Sequence, residues 1–249
     1  MAGLASILTQ YQRPTFDGYM AGIWATKLIS ELCWYIPSFP VHERGLPLNY
    51  APTWSWGSIN ASIRWVSRFI RDPEAIRVTC KTLRIAFCPS TASPFGPGTG
   101  ALHFHSMLIP VRVLFGQLHR TPWHSFKIRT LHFAYVRDEE DNSHKEVSKN
   151  LKSQGRLMPL QAKLHPDFLP TVGDMENQND YFFLVLGNVL PHWATSLVEH
   201  PFGLLVKKNR TNGLYVRAGL VYPDYPVHDE CYGVEVWNTT GRNEVIVLV

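Results

Sequence analysis

The sequence predicts an α+β fold, predominantly antiparallel β, with an N-terminal amphipathic helix packed on the sheet. Three observations predict it. Apolar segments with alternating or β-branched residues recur from Ile76 to the C-terminus, separated by turns rich in Gly, Pro and Asn. Aromatic residues make up 12% of the chain, and many stand beside Pro or Gly, which suits strands and loops better than a helical bundle. Helical periodicity is clearest between about Gly18 and Trp34, where Met20, Ile23, Trp24, Leu28 and Leu32 recur at three- and four-residue spacing.

The elements follow in order. Asp17 suits a helix N-cap, and Pro37 and Pro40 end the helix. Residues 41–50 connect it to Ala51-Pro52-Thr53-Trp54-Ser55-Trp56-Gly57-Ser58. On a strand, the spacing of Trp54 and Trp56 puts both indoles on one face. Ile76 to Phe87 reads as a strand, Pro89 to Gly100 as a turn-rich loop, and Leu102 to Leu108 as a second strand that Val111 to Phe115 continues. Leu131 to Val136 reads as another. Asp138 to Glu146 is a charged loop, and residues 153–180 are polar with no periodic signal. Tyr181 to Leu186 is a buried strand, and Gly203–Val206 with Leu214–Val221 form a hairpin around Asn212-Gly213. Val234, Val236 and Glu244–Val249 supply the last strands. Residues 1–249 thus read as a single β-rich region, with an insertion or a boundary possible at 138–180.

Composition narrows the class. A chain of 249 residues with 45% hydrophobic and 18% charged residues folds and buries a sizeable core. The net charge of +4 is not gathered into a stripe. Its densest basic group, Lys207-Lys208-Asn209-Arg210, lies next to Asn212-Gly213 and reads as a solvated hairpin tip rather than a nucleic-acid surface. The four cysteines, Cys33, Cys80, Cys88 and Cys231, match no zinc site and no C-x-x-C pair. The N-terminus has no basic n-region, and no segment approaches the ~20 apolar residues of a membrane span. A cytoplasmic location with free thiols and no membrane partner is expected.

The motifs that would carry chemistry fail on detail. Gly96-Pro97-Gly98-Thr99-Gly100 has the wrong spacing for a phosphate loop, and Pro97 lacks an N–H to donate, so a turn is the better reading. His103 and His105 share a strand face as a metal pair does, but no carboxylate or cysteine follows nearby to complete a site. Cys231 stands near His228 and Asp229, yet triad members meet in space rather than in sequence. No catalytic, cofactor or metal residue is assigned, and no cofactor is expected. Trp24, Trp34, Trp54 and Trp56 admit two readings: core packing between helix and sheet, or an aromatic platform for a base or sugar.

Several segments carry a resemblance. Pro52, Trp54, Ser55 and Trp56 lie in a run that resembles the A-P-S-W-S-W-A-S signature found downstream of the heterokaryon incompatibility (HET) domain in fungal proteins. Tyr19, Gly22 and Trp24, followed by Leu28, Leu32 and Trp34, resemble the Y-L-A-G-L-W helix before that signature. Pro94-Phe95-Gly96 is similar to its D-P-F-G segment, and Gly203 with Tyr215-Val-Arg217-Ala-Gly219 resembles its late G-L-L…Y-x-R-x-G hairpin. The segments occur in the family's order. Asn60 and Ser93 replace two family aspartates, which removes a carboxylate at each place. Only eighteen residues precede Tyr19, so the resemblance implies the region after the HET domain, with that domain absent.

The expected function is a non-catalytic regulatory or partner-recognition region of a HET-type protein of fungal self/non-self recognition and cell death, with an unidentified protein partner. The alternatives are a β-rich ligand-binding module using Trp54 and Trp56, or a gene remnant without selected function.

Overall fold

The computed structural model describes residues 18–37, 51–66, 76–91, 97–113, 132–134, 160–167, 180–189, 199–223 and 241–249. Its centre is a closed ring of strands: β7 (Gly98–Pro110), β11 (Tyr181–Val189), β12 (His200–Lys208), β13 (Tyr215–Pro223) and β14 (Arg242–Leu248). Neighbours pair antiparallel around the ring except at its closure, where β13 meets β14 in parallel at Tyr215 and Leu248. The Val249 N–H donates to the Tyr215 carbonyl at 2.9 Å beside that contact. Closure matters because it leaves the ring without the unpaired edges of an open sheet.

Side-chain alternation explains which face fills the ring. Along β7, Leu102, Phe104 and Leu108 are buried, while His103 and Met107 are half-buried and His105 is exposed. Ile246 and Leu248 of β14 point the same way as Phe104 and Leu102, their register partners. Leu184 and Leu186 of β11, Phe202 and Leu204 of β12, and Leu220 of β13 complete this core. In β11, Tyr181, Phe183 and Val185 are buried as well, so both of its faces are covered, and its sequence is apolar almost throughout.

Further strands extend the ring. β5 (Ile76–Val78) pairs with the end of β11, and β6 (Lys81–Pro89) pairs with the first part of β7. β10 (Leu160–Pro166) lies beside β13, followed by β9 (His132–Ala134) and β8 (Arg112–Val113). The β-rich prediction therefore holds. Gly98–Gly100, expected in a turn, instead pair with Phe87–Pro89 as strand. The Lys207–Arg210 group does sit at the β12–β13 tip, where residues 208–213 are exposed and Gly213 adopts φ +72°. Arg210 there pairs with Asp180 at 2.8 Å.

Two expectations need correction. The helix over 18–34 is not formed. β1 (Tyr19–Met20) and β2 (Ile23–Trp24) make a hairpin, followed by a 3-10 turn over Ala25–Lys27 and a single α-helical turn, α1 (Leu28–Glu31). The cause is local: Gly18, Ala21 and Gly22 have φ of +55°, +48° and +90°, which no right-handed helix accommodates. Positive φ at both central residues, Ala21 and Gly22, is what a type I′ hairpin requires. Ile23, Leu28 and Leu32 still reach the core, so the apolar spacing marked burial while mistaking its backbone. Trp34 and Tyr35 form β3, which pairs with β4 (Arg64–Trp65).

The second correction concerns Trp54 and Trp56, which are not on a strand. The Ser55 N–H bonds to the Pro52 carbonyl at 2.9 Å, and Trp56–Ser58 form a 3-10 turn. The two indoles therefore leave the chain in different environments. Asp138–Glu146, Pro94, Phe95, Gly96, Ser93, Val234, Val236 and Cys231 lie outside the described residues.

Candidate functional site

Several motif residues, Gly22, Trp34, Trp54, Ser55, Trp56 and Arg217, converge on one place, where the 18–36 and 51–66 segments meet β13. The Trp-Ser-Trp turn forms its upper half. Ser55 caps the 3-10 turn by accepting from the Gly57 N–H at 2.9 Å, and its hydroxyl donates to the Ala21 carbonyl. Trp56 Nε1 donates to the neighbouring Gly22 carbonyl at 2.8 Å. The turn thus grips both central residues of the β1–β2 hairpin. Gly22 is required there: a Cβ at this position would lie 2.6 Å from Trp56 Nε1, on a backbone already at φ +90°. Ser58 Oγ closes the turn on the Ser55 carbonyl at 2.7 Å.

Arg217 forms the lower half. Its Nε donates to Asp167 Oδ2 at 2.7 Å, Nη1 to the Leu32 carbonyl at 2.6 Å, and Nη2 to the Trp34 carbonyl at 2.6 Å and more weakly to Asp167 Oδ1 at 3.4 Å. The guanidinium lies 3.4 Å from the centroid of the Trp34 ring, a cation–π contact in a site without solvent. The Arg217 side chain is 0% exposed and that of Asp167 4%. Two charges this deep are tolerated because each is paired and hydrogen-bonded. Burial pushes the Asp167 carboxyl above its ordinary value, and the Arg217 guanidinium pulls it back. The Asp167 N–H also bonds to the Ala218 carbonyl at 3.0 Å, which ties the end of β10 to β13.

The halves are joined through Trp34, Thr53 and Trp54. Trp34 Nε1 donates to the Trp54 carbonyl at 3.2 Å. The Thr53 hydroxyl donates to the Val249 carbonyl and accepts from the Arg217 N–H at 3.1 Å. Trp54 is 0% exposed and belongs to the main core, its ring lying against Gly100 of β7. Burying rings such as Trp34 and Trp54 removes on the order of 150–250 Å² each, a stabilisation of a few kcal/mol per ring.

The other motif residues have plainer places. Tyr19 and Trp24 meet edge to face at 4.9 Å, with Trp24 37% exposed. Pro52 is buried at the start of the Trp-Ser-Trp turn. Gly203 lets β12 approach β11, since a Cβ there would meet the Leu184 carbonyl at 2.0 Å. Tyr215 packs edge to face on Phe182 at 5.8 Å, and Gly219 is buried opposite Leu205 and Pro166. Asn60 is exposed.

Sequence reasoning missed the roles of Arg217 and Asp167. Arg217 stood in the Tyr-x-Arg-x-Gly motif, and a lone arginine inside a predicted strand was the available signal. Asp167 had none. The aromatic-platform reading is not matched by the geometry: Trp54 is sealed in the core and Trp56 is half-buried with its Nε1 on Gly22. His103 and His105 do share the outer face of β7. Among the described residues, no group of three or more His, Cys, Asp and Glu is placed to hold a metal. Cys33 and Cys80 are buried free thiols; burial raises Cys33, and Cys80 is pushed up to about 12. Both are protonated at neutral pH and poor nucleophiles. No described helix is long and apolar enough to cross a membrane.

Comparison of the chain with protein-family models, with curated proteins and with solved structures finds no match.

Proposed function

We propose that this chain is a non-catalytic regulatory or partner-recognition region of a HET-type fungal incompatibility protein, corresponding to the region that follows the HET domain. One observation carries the reading. Part of the resemblance, Gly22, Trp34, Trp54, Ser55, Trp56 and Arg217, meets from distant places in the sequence in a single clasp whose polar atoms bond to one another and to backbone carbonyls. Motif residues used in this way hold the N-terminal segments on the barrel, which supports a structural role for the motif. The partner is a protein, the location cytoplasmic, and the N-terminal hairpin and α1 pack on the barrel in the place of the expected helix.

The reading is tested in two parts. The purified chain is incubated with NAD and with ATP, and products are followed by chromatography; no turnover is expected. The chain is then expressed in a fungal strain scored for cell death on confrontation with an incompatible one. A changed frequency of cell death, absent for the clasp variant Arg217→Met, supports the proposal. Nucleotide turnover, or an unchanged frequency with a folded chain, contradicts it.

A further inference from the structure

β7 and β11 pair where Leu108, Ile109 and Pro110 meet Leu184, Phe183 and Phe182. Beyond that point they part, and each carries a strand of its own, β6 along β7 and β5 along β11. On one arm of this fork, β6, β7 and β14 form a three-stranded sheet whose inner face fills the core through Leu102, Phe104, Ile246 and Leu248. Register sets its outer face. One row holds Lys81, His105 and Val245, and the next holds Arg84, His103 and Val247. The rows stack into three columns: cations on β6, imidazoles on β7 and valines on β14. Lys81, Arg84 and His105 are exposed, and Val245 is 60% exposed.

The cations of this face are unmatched. Among the described residues neither Lys81 nor Arg84 forms an ion pair, and two cations held on one face repel. The side-chain carboxylates of the described residues stand elsewhere. Glu199 lies on the other arm of the fork, 3.8 Å from Arg77 and 3.2 Å from the Asn188 amide, so Arg77 is matched and belongs to no patch. Asp180 holds Arg210, and Asp167 holds Arg217. Glu31 lies one turn after Lys27, and Glu244 is in register with Ser106, whose row belongs to the opposite face.

Resting on the partner-recognition reading, we propose that the outer face of β6, β7 and β14 docks an amphipathic helix of a partner protein, acidic along one flank and apolar along the next. Charge and width select this occupant. The cationic and valine columns are two strand spacings apart, about 10 Å, which is the width of a helix lying along the strands. Its Asp and Glu side chains then lie over Lys81 and Arg84, and its apolar flank covers Val245 and Val247. A phosphate backbone would use the cations and gain nothing from the valines. A second copy of this chain has no such helix to offer among the described residues, where the α-helix is the single turn α1.

The experiment uses the full chain and a fluorescent helical peptide of about five turns, with Glu along one flank and Leu along the next, read by anisotropy. Binding is expected to weaken by about tenfold or more in Lys81→Glu/Arg84→Glu and at high salt, and by less in Lys81→Gln/Arg84→Gln. A peptide with Lys in place of Glu is expected to prefer the charge-reversed variant. Val245→Lys adds a cation, yet it is expected to weaken binding several-fold because it interrupts the apolar column. A sequence-scrambled peptide of the same composition is expected not to bind. These positions are exposed, so each variant is expected to keep the wild-type melting temperature. No binding, equal binding of the scrambled peptide, or tighter binding by Val245→Lys overturns the proposal. So does tighter binding of single-stranded DNA, or a dimer of the chain that the charge reversal breaks. Failure here with an intact effect on cell death removes this face and leaves the recognition reading. Peptide binding with no effect on cell death does the reverse.

Discussion

Arg217 holds a charge where water does not reach, and the fold surrounds it with four acceptor contacts and an indole face. Arg217→Met leaves Asp167 buried without its partner, and urea unfolding should show a loss of about 3–5 kcal/mol. Arg217→Lys keeps a charge but cannot fork between the Leu32 and Trp34 carbonyls, so it should recover only part of that loss. Replacing both partners, Arg217→Met with Asp167→Leu, should restore stability relative to Arg217→Met alone, because no charge is then stranded. Gly22→Ala places a methyl against Trp56 on a positive-φ backbone, and a thermal or urea melt should show a cost of about 1–3 kcal/mol. At this scale the sequence was half legible. Arg217 was visible inside a motif, but Asp167 lies in a polar stretch with no period, fifty residues away. Nothing local announces a contact made that far along the chain.

At the scale of elements, the Trp-Ser-Trp turn is held by its serine. Ser55→Ala removes both the cap on Gly57 and the bond to Ala21, and should cost about 1–2 kcal/mol in chemical denaturation. Strand β12 begins at His200, which is buried, and burial lowers its imidazole below the ordinary value of 6.5. The unfolded chain then binds a proton that the folded chain resists. Stability should therefore fall as pH drops below about 6.5 toward the lowered folded value, and His200→Gln should flatten that part of the profile. Strands were the readable elements. The alternation in Leu102–Leu108 and the Asn212-Gly213 turn lie within a few residues, so local chemistry specifies them. The helix was misread because three- and four-residue apolar spacing also arises when a hairpin and a helical turn bury one side in succession. Gly18, Ala21 and Gly22 decide between the two, and the Ala-Gly pair is a weaker turn signal than Asn-Gly.

The whole molecule closes through contacts that join distant parts of the chain. β14 zips onto β7 and meets β13 at one residue pair, and the Val249 carbonyl just beyond it accepts from Thr53. No periodic pattern encodes such a closure, since register across a ring depends on all its strands together. The clasp has a consequence at this scale: it makes the 18–36 and 51–66 segments part of the barrel's cooperative unit instead of an appendage. Native-state hydrogen exchange measures this directly. The Ala25, Ser55 and Val66 amides, each bonded within the clasped segments, should exchange with the same opening free energy as the amides of β11 and β12. In Arg217→Met they should open at lower free energy than the barrel. Exchange of these amides well before the barrel in the wild-type chain, unaltered by Arg217→Met, would contradict the account.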